Sequence, residues 1–251
     1  MQILETFNTS INNFRQKYGF SGAMLKTIAV ITMLIDHTGA TIIRSLARFP
    51  EIAASPERMQ LIKQLYYYSR RIGRLAFPIF CFLLVEGFLH TRDVKKYAVR
   101  LFIFALISDI PFDYALHPGA GLFTKQNVYF TLLIGLLVLW GVREMNGRIP
   151  FQLIFMCAGM IMAKIMRTDY NYKGVFIIEM LYILRFSPLL QSLGGAAIVE
   201  YEKMPTPLAF IPVYLYNGKR GRQMKYFFYW FYPAHLLILG LINNVLIPAI
   251  R

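Results

Sequence analysis

This sequence predicts an all-α integral-membrane fold, a polytopic bundle of about nine transmembrane helices (about eight to ten), with short or re-entrant segments among them. Three observations predict it. The chain of 251 residues is 57% hydrophobic and only 16% charged, with a positive mean hydropathy, which is too apolar for a soluble domain of this size. Apolar runs approaching the roughly 20 residues that a bilayer crossing needs recur along it, separated by basic loops. The net charge of +14 falls between those runs rather than along one polar face, as positive-inside loops and headgroup anchors do. Membrane lipids are therefore an expected partner, and nucleic acid is not.

Residues 1–20 carry Asn12, Asn13, Arg15, Gln16 and Lys17 without an uninterrupted apolar core. They do not read as a cleavable signal peptide, so the first span is expected to act as the insertion signal. That span runs from about Lys26 to Leu46. A polar and aromatic connector with two prolines follows, ARFPEIAASPERMQLIKQLYYYSRRIG. Its central part, Glu57 to Arg71, reads either as an amphipathic helix at the interface or as a solvated loop. GRLAFPIFCFLLVEGFLH is the second span, with Glu86 deep inside, and LFIFALISDIPFDYAL the third, carrying Asp109, Pro111 and Asp113.

The loop HPGAGLFTKQ leads to a fourth span at about Asn127 to Val142. A fifth covers Ile149 to Ile165 and a sixth about Gly174 to Leu184. Two apolar pieces, Pro188 to Val199 and Pro207 to Tyr216, are short for ordinary crossings, and EYEKMP separates them. The last span runs from Tyr226 to about Ile247. Without internal repeats or low-complexity linkers, residues 1–251 are expected to form a single domain. The Lys/Arg bias puts TRDVKKYAVR, REMNGR and NGKRGRQMK in the cytoplasm. The connector after the first span, with Arg44, Arg48, Arg58, Lys63, Arg70, Arg71 and Arg74, then lies outside against that rule.

The chemistry is expected inside the membrane. Glycine-loop, nucleophile-elbow and His-Glu-x-x-His patterns do not occur. Four histidines and two cysteines are scattered, so no metal is expected. An ionisable side chain costs roughly 2.5 to 3.5 kcal/mol in an apolar span, which makes Asp36-His37 a site hypothesis by default. His37 lies eleven positions after Lys26, close to three helical turns, so both share a face about 16 Å apart. A mid-span histidine can carry a proton, and a lysine at the rim can hold phosphate or headgroup anions. The structural alternative is a packing histidine with a snorkelling lysine. Asp36 is turned about 100° away from His37 and need not bond it.

The other ionisable candidates inside spans are Glu86, Asp109, Asp113, Glu179 and His235. Asp109 and Asp113 would share a face if Pro111 did not break the helix between them. Glu86 stands four residues before His90 and pairs with it or serves the site. His235, in an aromatic belt, is an interface histidine or a second member of a site with His37. A proton-coupled transporter would also place Asp, Glu and His inside spans, and is the alternative function.

LKTIAVITMLIDHTGA, RIGRLAFPIFCFLLVEGFLHTRDVKKYAVRLFIFALISDIPFD, QNVYFTLLIGLL and YWFYPAHLLIL together resemble the TraX family, named for a conjugal-transfer protein that N-acetylates pilin. That family looks like a distant branch of the multi-span membrane acyltransferases. The resemblance implies an acetyl-CoA-dependent acetyltransferase of a bacterial inner membrane. Its acceptor would be an amine or hydroxyl of a protein N-terminus, glycan or other envelope molecule. His37 would be the general base, or an acetylated relay, with Asp36 or Asp109 orienting it. Lys26 with some of Arg70, Arg71 and Arg74 would contact coenzyme A phosphates. Glu86, Asn127, Tyr232 and His235 would line the acceptor or thioester pocket. Where the multi-span acyltransferases carry an arginine eleven positions before the key histidine, this sequence has Lys26, which keeps the charge and loses bidentate recognition.

Overall fold

The structure, a computed structural model, describes the backbone of residues 2–119, 125–199, 205–222 and 224–250, and all their side chains except those of 2–9 and 225. Among these residues the regular elements are helical, apart from two isolated bridges, Phe20 to Tyr216 and Gln126 to Thr168. In chain order the main ones, leaving aside the single turns Pro50–Ala53, Leu184–Phe186 and Thr206–Ala209, are α1 (Gln2–Tyr18), α2 (Gly22–Leu46), α3 (Pro56–His90), α4 (Val94–Leu116) and α5 (Val128–Glu144). They continue as α6 (Ile149–Ile165), α7 (Asn171–Ile183), α8 (Pro188–Ile198), α9 (Phe210–Tyr214) and α10 (Tyr226–Ala249).

Local chemistry explains where these helices begin. Ser21 caps α2 by accepting from the Met24 amide, and Asp93 caps α4 by accepting from that of Lys96. Asn127 does the same for α5 through Tyr129. Each replaces a hydrogen bond that the first helical turn cannot make for itself.

The connector after the first span is a helix. Ser55 caps it, Pro56 starts it, and Pro56–Gly73 runs through one turn into Ala76–His90 as the two parts of α3. Ile62, Ser69 and Gly73 are its buried positions, and this seam packs on α2. Gly73 is required there, because a Cβ would overlap the Asp36 carboxylate. The seam accounts for a polar segment being helical: its few small or apolar positions recur at helical spacing and face a partner.

Pro111 does not break the third span, because α4 runs through it to Leu116. Its missing amide costs a helix about 3 kcal/mol in isolation. Here α4 lies along α10 in one of the extensive helix contacts among the described residues. Asp109 and Asp113 therefore do share a buried face.

α2 and α10 run parallel, since Phe228 lies by Lys26, His235 by His37, and Asn243 by Ser45. α3 runs antiparallel to α2, with Gly73 against Asp36 and Glu86 near Gly22 and Lys26. α5 starts beside Asp109 and ends with Arg143 over the Phe88 ring at 4.6 Å. The bundle thus has two ends. One gathers residues 86–100, 143–148 and 216–222, and the other gathers 44–56, 113–119, 125–128 and 165–171.

Three helices, α2, α3 and α10, are long and apolar enough to cross a membrane by length and composition alone. That is fewer than the nine expected. α5 and α6 are only 17 residues long, α4 carries Lys95, Lys96, Arg100, Asp109 and Asp113, and α8 and α9 are shorter still. Residues 120–124 of the expected loop before α5, and 200–204 of the EYEKMP separator, lie outside the described residues. Phe102 and Leu106 on α4, Phe151 and Ile154 on α6, and Ile238 and Leu241 on α10 are exposed. An outer surface of this kind suits lipid.

Candidate functional site

Asp36 and His37 close the regular part of α2, immediately before a π-helical segment, Gly39–Ile43. α10 carries its own π segment, Ile242–Leu246. Insertions of this kind often mark functional positions. Polar ties fix the α10 segment on both sides: Ser45 at the end of α2 donates to Asn243, and Asn244 donates to the Tyr114 carbonyl of α4 at 2.7 Å.

The rings of His37 and His235 stack at 5.0 Å between centroids, with His37 Nδ1 2.7 Å from His235 Nε2. On its other side His235 Nδ1 lies 2.7 Å from the Phe231 carbonyl oxygen. A carbonyl only accepts, so the proton of a neutral His235 is assigned to Nδ1 and its Nε2 is an acceptor. His37 must then donate from Nδ1, which leaves its Nε2 lone pair free. Among the described residues nothing hydrogen-bonds that nitrogen. Tyr232 meets both imidazoles edge-on, at 6.0 and 5.8 Å. The arrangement is that of a base whose tautomer a second group selects.

Asp36 faces away from His37 and pairs with Arg70, with Oδ2 at 2.6 Å from Nη1. Both acids and aromatics converge on a small cavity beside His37, of about 30 Å³, lined also by Phe77, Phe80, Asp169, Tyr170 and Tyr232. Asp169 is itself paired with Lys125 at 2.5 Å, and Tyr170 stacks on Phe77.

A second cavity, of about 660 Å³, lies toward the Lys26 end, within the roughly 300 to 1,000 Å³ range of small-molecule sites. Lys26, His90, Arg92, Arg100 and Arg220 line it, together with Tyr97, Tyr129, Phe228 and Tyr229. Glu86 is its acid, joined to Tyr216 by a hydrogen bond and 3.9 Å from His90. Phe80 lines both cavities, and Val128 of the small one adjoins Tyr129 of the large. Cations and aromatic faces in a site this large fit a phosphorylated ligand with a planar ring.

The sequence-derived candidates therefore divide. His37, His235, Tyr232, Asp36 and Arg70 gather around the small cavity, and Lys26 and Glu86 line the large one. Lys26 does not form one cluster with Arg70, Arg71 and Arg74. Arg70 is ten residues further along the α2 surface, about 15 Å, and Arg71 lies over the Tyr67 ring at 4.6 Å. Arg74 follows the end of the first α3 segment. Among the described residues Asp109 makes no hydrogen bond to His37. It accepts from Asn127 Nδ2 at 3.0 Å, and that amide also donates to the Ala105 carbonyl at 2.7 Å. Asn127 in turn starts α5, which places Tyr129 against Tyr232 at 5.2 Å. Pro233 has no amide to offer the Tyr229 carbonyl, and Tyr129 donates its hydroxyl there instead at 3.2 Å.

Sequence reasoning missed Phe80, Arg92, Arg100, Tyr129, Asp169 and Arg220. The arginines read as ordinary loop charges, since their convergence depends on two separate connections, TRDVKKYAVR and NGKRGRQMK, meeting at one end of the bundle. Asp169 was legible only as part of a short polar loop.

The chain is similar to a probable fimbrial assembly protein FimC, serogroup H1, of Dichelobacter nodosus, being 28% identical to it over 252 residues. The aligned region covers 88% of this chain and 94% of that relative. No solved structure matches. A family model described as TraX protein matches residues 21–243, a stretch that contains both histidines and most of both cavity linings, and the chain accordingly belongs to the TraX family.

Proposed function

We propose that this protein is an integral-membrane acetyltransferase that moves an acetyl group from acetyl-CoA to an amine or hydroxyl of an envelope acceptor. The observation that carries the reading is the His37–His235 pair: a histidine with a selected tautomer and an unengaged Nε2, beside a wall shared with a large cationic cavity. In this reading the donor's phosphates lie among Lys26, Arg92, Arg100 and Arg220, and its thioester reaches past Phe80 and Tyr129. His37 Nε2 takes the proton of the acceptor N–H or O–H as that atom attacks the thioester carbonyl carbon. The C–S bond then breaks, and the leaving sulfur takes the proton from His37 as a free thiol. His235 holds the imidazole in the required tautomer and shares its positive charge while protonated. The name of the Dichelobacter relative suggests an acceptor connected with fimbriae.

The same reading has seven helical columns crossing a bacterial inner membrane, α2, α3, α4, α5, α6, α7 and α10. α8 and α9 enter and leave at the Lys26 end, so the three basic loops share the cytoplasmic side as the charge bias requires. The test uses purified protein in nanodiscs with radiolabelled acetyl-CoA and an envelope fraction. Wild type should release free thiol and label an acceptor, and His37→Ala should be slower by about 10²- to 10⁴-fold. If neither protein forms product while proteoliposomes accumulate a solute, a proton-coupled transporter replaces this reading.

A further inference from the structure

The wall of the large cavity that carries Tyr216, Gly218 and Arg220 belongs to no long helix. It is a loop between α9 and α10, and its conformation comes from the other end of the chain. Phe20 donates its amide to the Leu215 carbonyl at 2.9 Å and accepts from the Asn217 amide at 3.0 Å. The amides of Gly22 and Ala23, which have no intrahelical partners at the start of α2, donate to the carbonyls of Lys219 and Arg220 at 2.9 and 3.0 Å. Asn217 Nδ2 returns a bond to the Gly19 carbonyl at 3.0 Å.

Arg15 of α1 anchors this zipper. Its Nε and Nη2 both donate to the Tyr216 carbonyl, at 3.1 and 2.8 Å, and its guanidinium lies 5.7 Å from the Tyr214 ring centroid. The Tyr216 side chain continues inward to Glu86 within the cavity. Gly19 lets the two strands of chain close up, because a Cβ there would overlap the carbonyls of Arg15 and Leu215. The bonds of the zipper are what bring Arg220 to the same cavity as Lys26. Two like charges held together in this way repel, and an anion between them relieves the repulsion.

We propose that Arg15, outside the cavity, is a positioning residue for the ligand of the large cavity: through the 15–23 and 215–220 zipper it sets the cationic wall that receives the ligand's phosphates. The proposal rests on the reading of that cavity as the donor site. It predicts that Arg15 acts on binding and leaves the histidine chemistry alone.

The test takes the full-length protein in nanodiscs and measures the dissociation constant of coenzyme A by titration calorimetry. Arg15→Ala should weaken it by about tenfold, as loss of a charge-assisted bond would. Turnover at saturating acetyl-CoA should stay within about twofold of wild type, and Arg15→Lys should recover part of the affinity. Gly19→Ala should weaken binding by the same route. A second readout needs no ligand: in a Cys157→Ser background, spin labels at Lys219→Cys and Lys95→Cys report the loop's distance distribution. That distribution should broaden with Arg15→Ala while the melting temperature stays unchanged. Wild-type affinity and an unchanged distribution in Arg15→Ala would overturn the proposal, as would an affinity loss matched by general unfolding. If wild type does not bind coenzyme A, the donor reading falls on that result, and the label distributions alone decide whether Arg15 sets the wall.

Discussion

The two cavities differ in how their charges are spent. Around the small one each acid has a cation in contact, Asp36 with Arg70 and Asp169 with Lys125, and the histidines bond one another. Around the large one Lys26, Arg92, Arg100 and Arg220 outnumber the acid Glu86. A tight region with its charges satisfied keeps a base in one geometry, which is what proton transfer needs. A roomy region whose described lining holds more cations than acids suits an anionic ligand. In the proposed reading, binding and chemistry fall on opposite halves of α2, with Phe80 between them.

This division can be broken by mutation. Removing His37 has the largest expected effect, the loss of turnover described above. His235→Ala should follow at about 10²-fold in kcat, since its partner loses a selected tautomer while the cationic cavity is untouched. Coenzyme A binding should be unchanged in that variant. A fall in affinity would mean that the two cavities act as one. Next come Arg92→Ala, Arg100→Ala and Arg220→Ala, each expected to raise KM for acetyl-CoA by about tenfold with kcat little altered. Steady-state kinetics in nanodiscs would show this split, and a kcat loss without a KM change would place these arginines in the chemistry instead.

Two smaller effects sharpen the picture of the scaffold. Gly73→Ala should destabilise the α2–α3 contact by about 1–3 kcal/mol, because the new methyl meets Asp36 and the ion pair must shift. A lowered melting temperature with unchanged coenzyme A affinity is the expected signature. The weakest prediction concerns Asp93 at the start of α4. The Lys96 amide, with the Lys96 and Arg100 charges nearby, holds its carboxyl below the usual carboxylate range. A depressed folded-state pKa contributes stability above the unfolded value, lost as pH falls through the folded one. Asp93→Asn should therefore lower stability slightly at neutral pH, flatten the acid side of the stability profile, and converge on wild type at low pH where Asp93 is itself protonated.

Much of the fold is legible in the chain. The apolar runs mark α2, α5, α6 and α10 to within a few residues, because an uninterrupted run of span length has few alternatives to a helix. The connector after α2 was open between helix and loop. Its helix depends on Ile62, Ser69 and Gly73 meeting α2, and a seam with so few apolar side chains carries little periodic signal. Pro111 misled for a related reason: a local rule about proline says nothing of the neighbour that holds the helix together. In the site, depth in an apolar span was enough to single out His37. The partner of His37 was open among Asp36, Asp109 and His235, because rotation about a helix excludes a direct bond poorly and says nothing about other spans.

By itself the sequence determined that the chain is apolar and helical, that its ionisable groups lie where solvation makes them costly, and that His37 is the one to ask about. Those are properties of composition and of spacing along one helix. The tertiary structure decided that His37 answers to His235, that Asp36 belongs to Arg70, and that Arg92, Arg100 and Arg220 share a cavity with Lys26. Contacts between residues about 200 positions apart, such as His37 with His235, arise from how helices pack against one another, and helix periodicity carries no record of that choice.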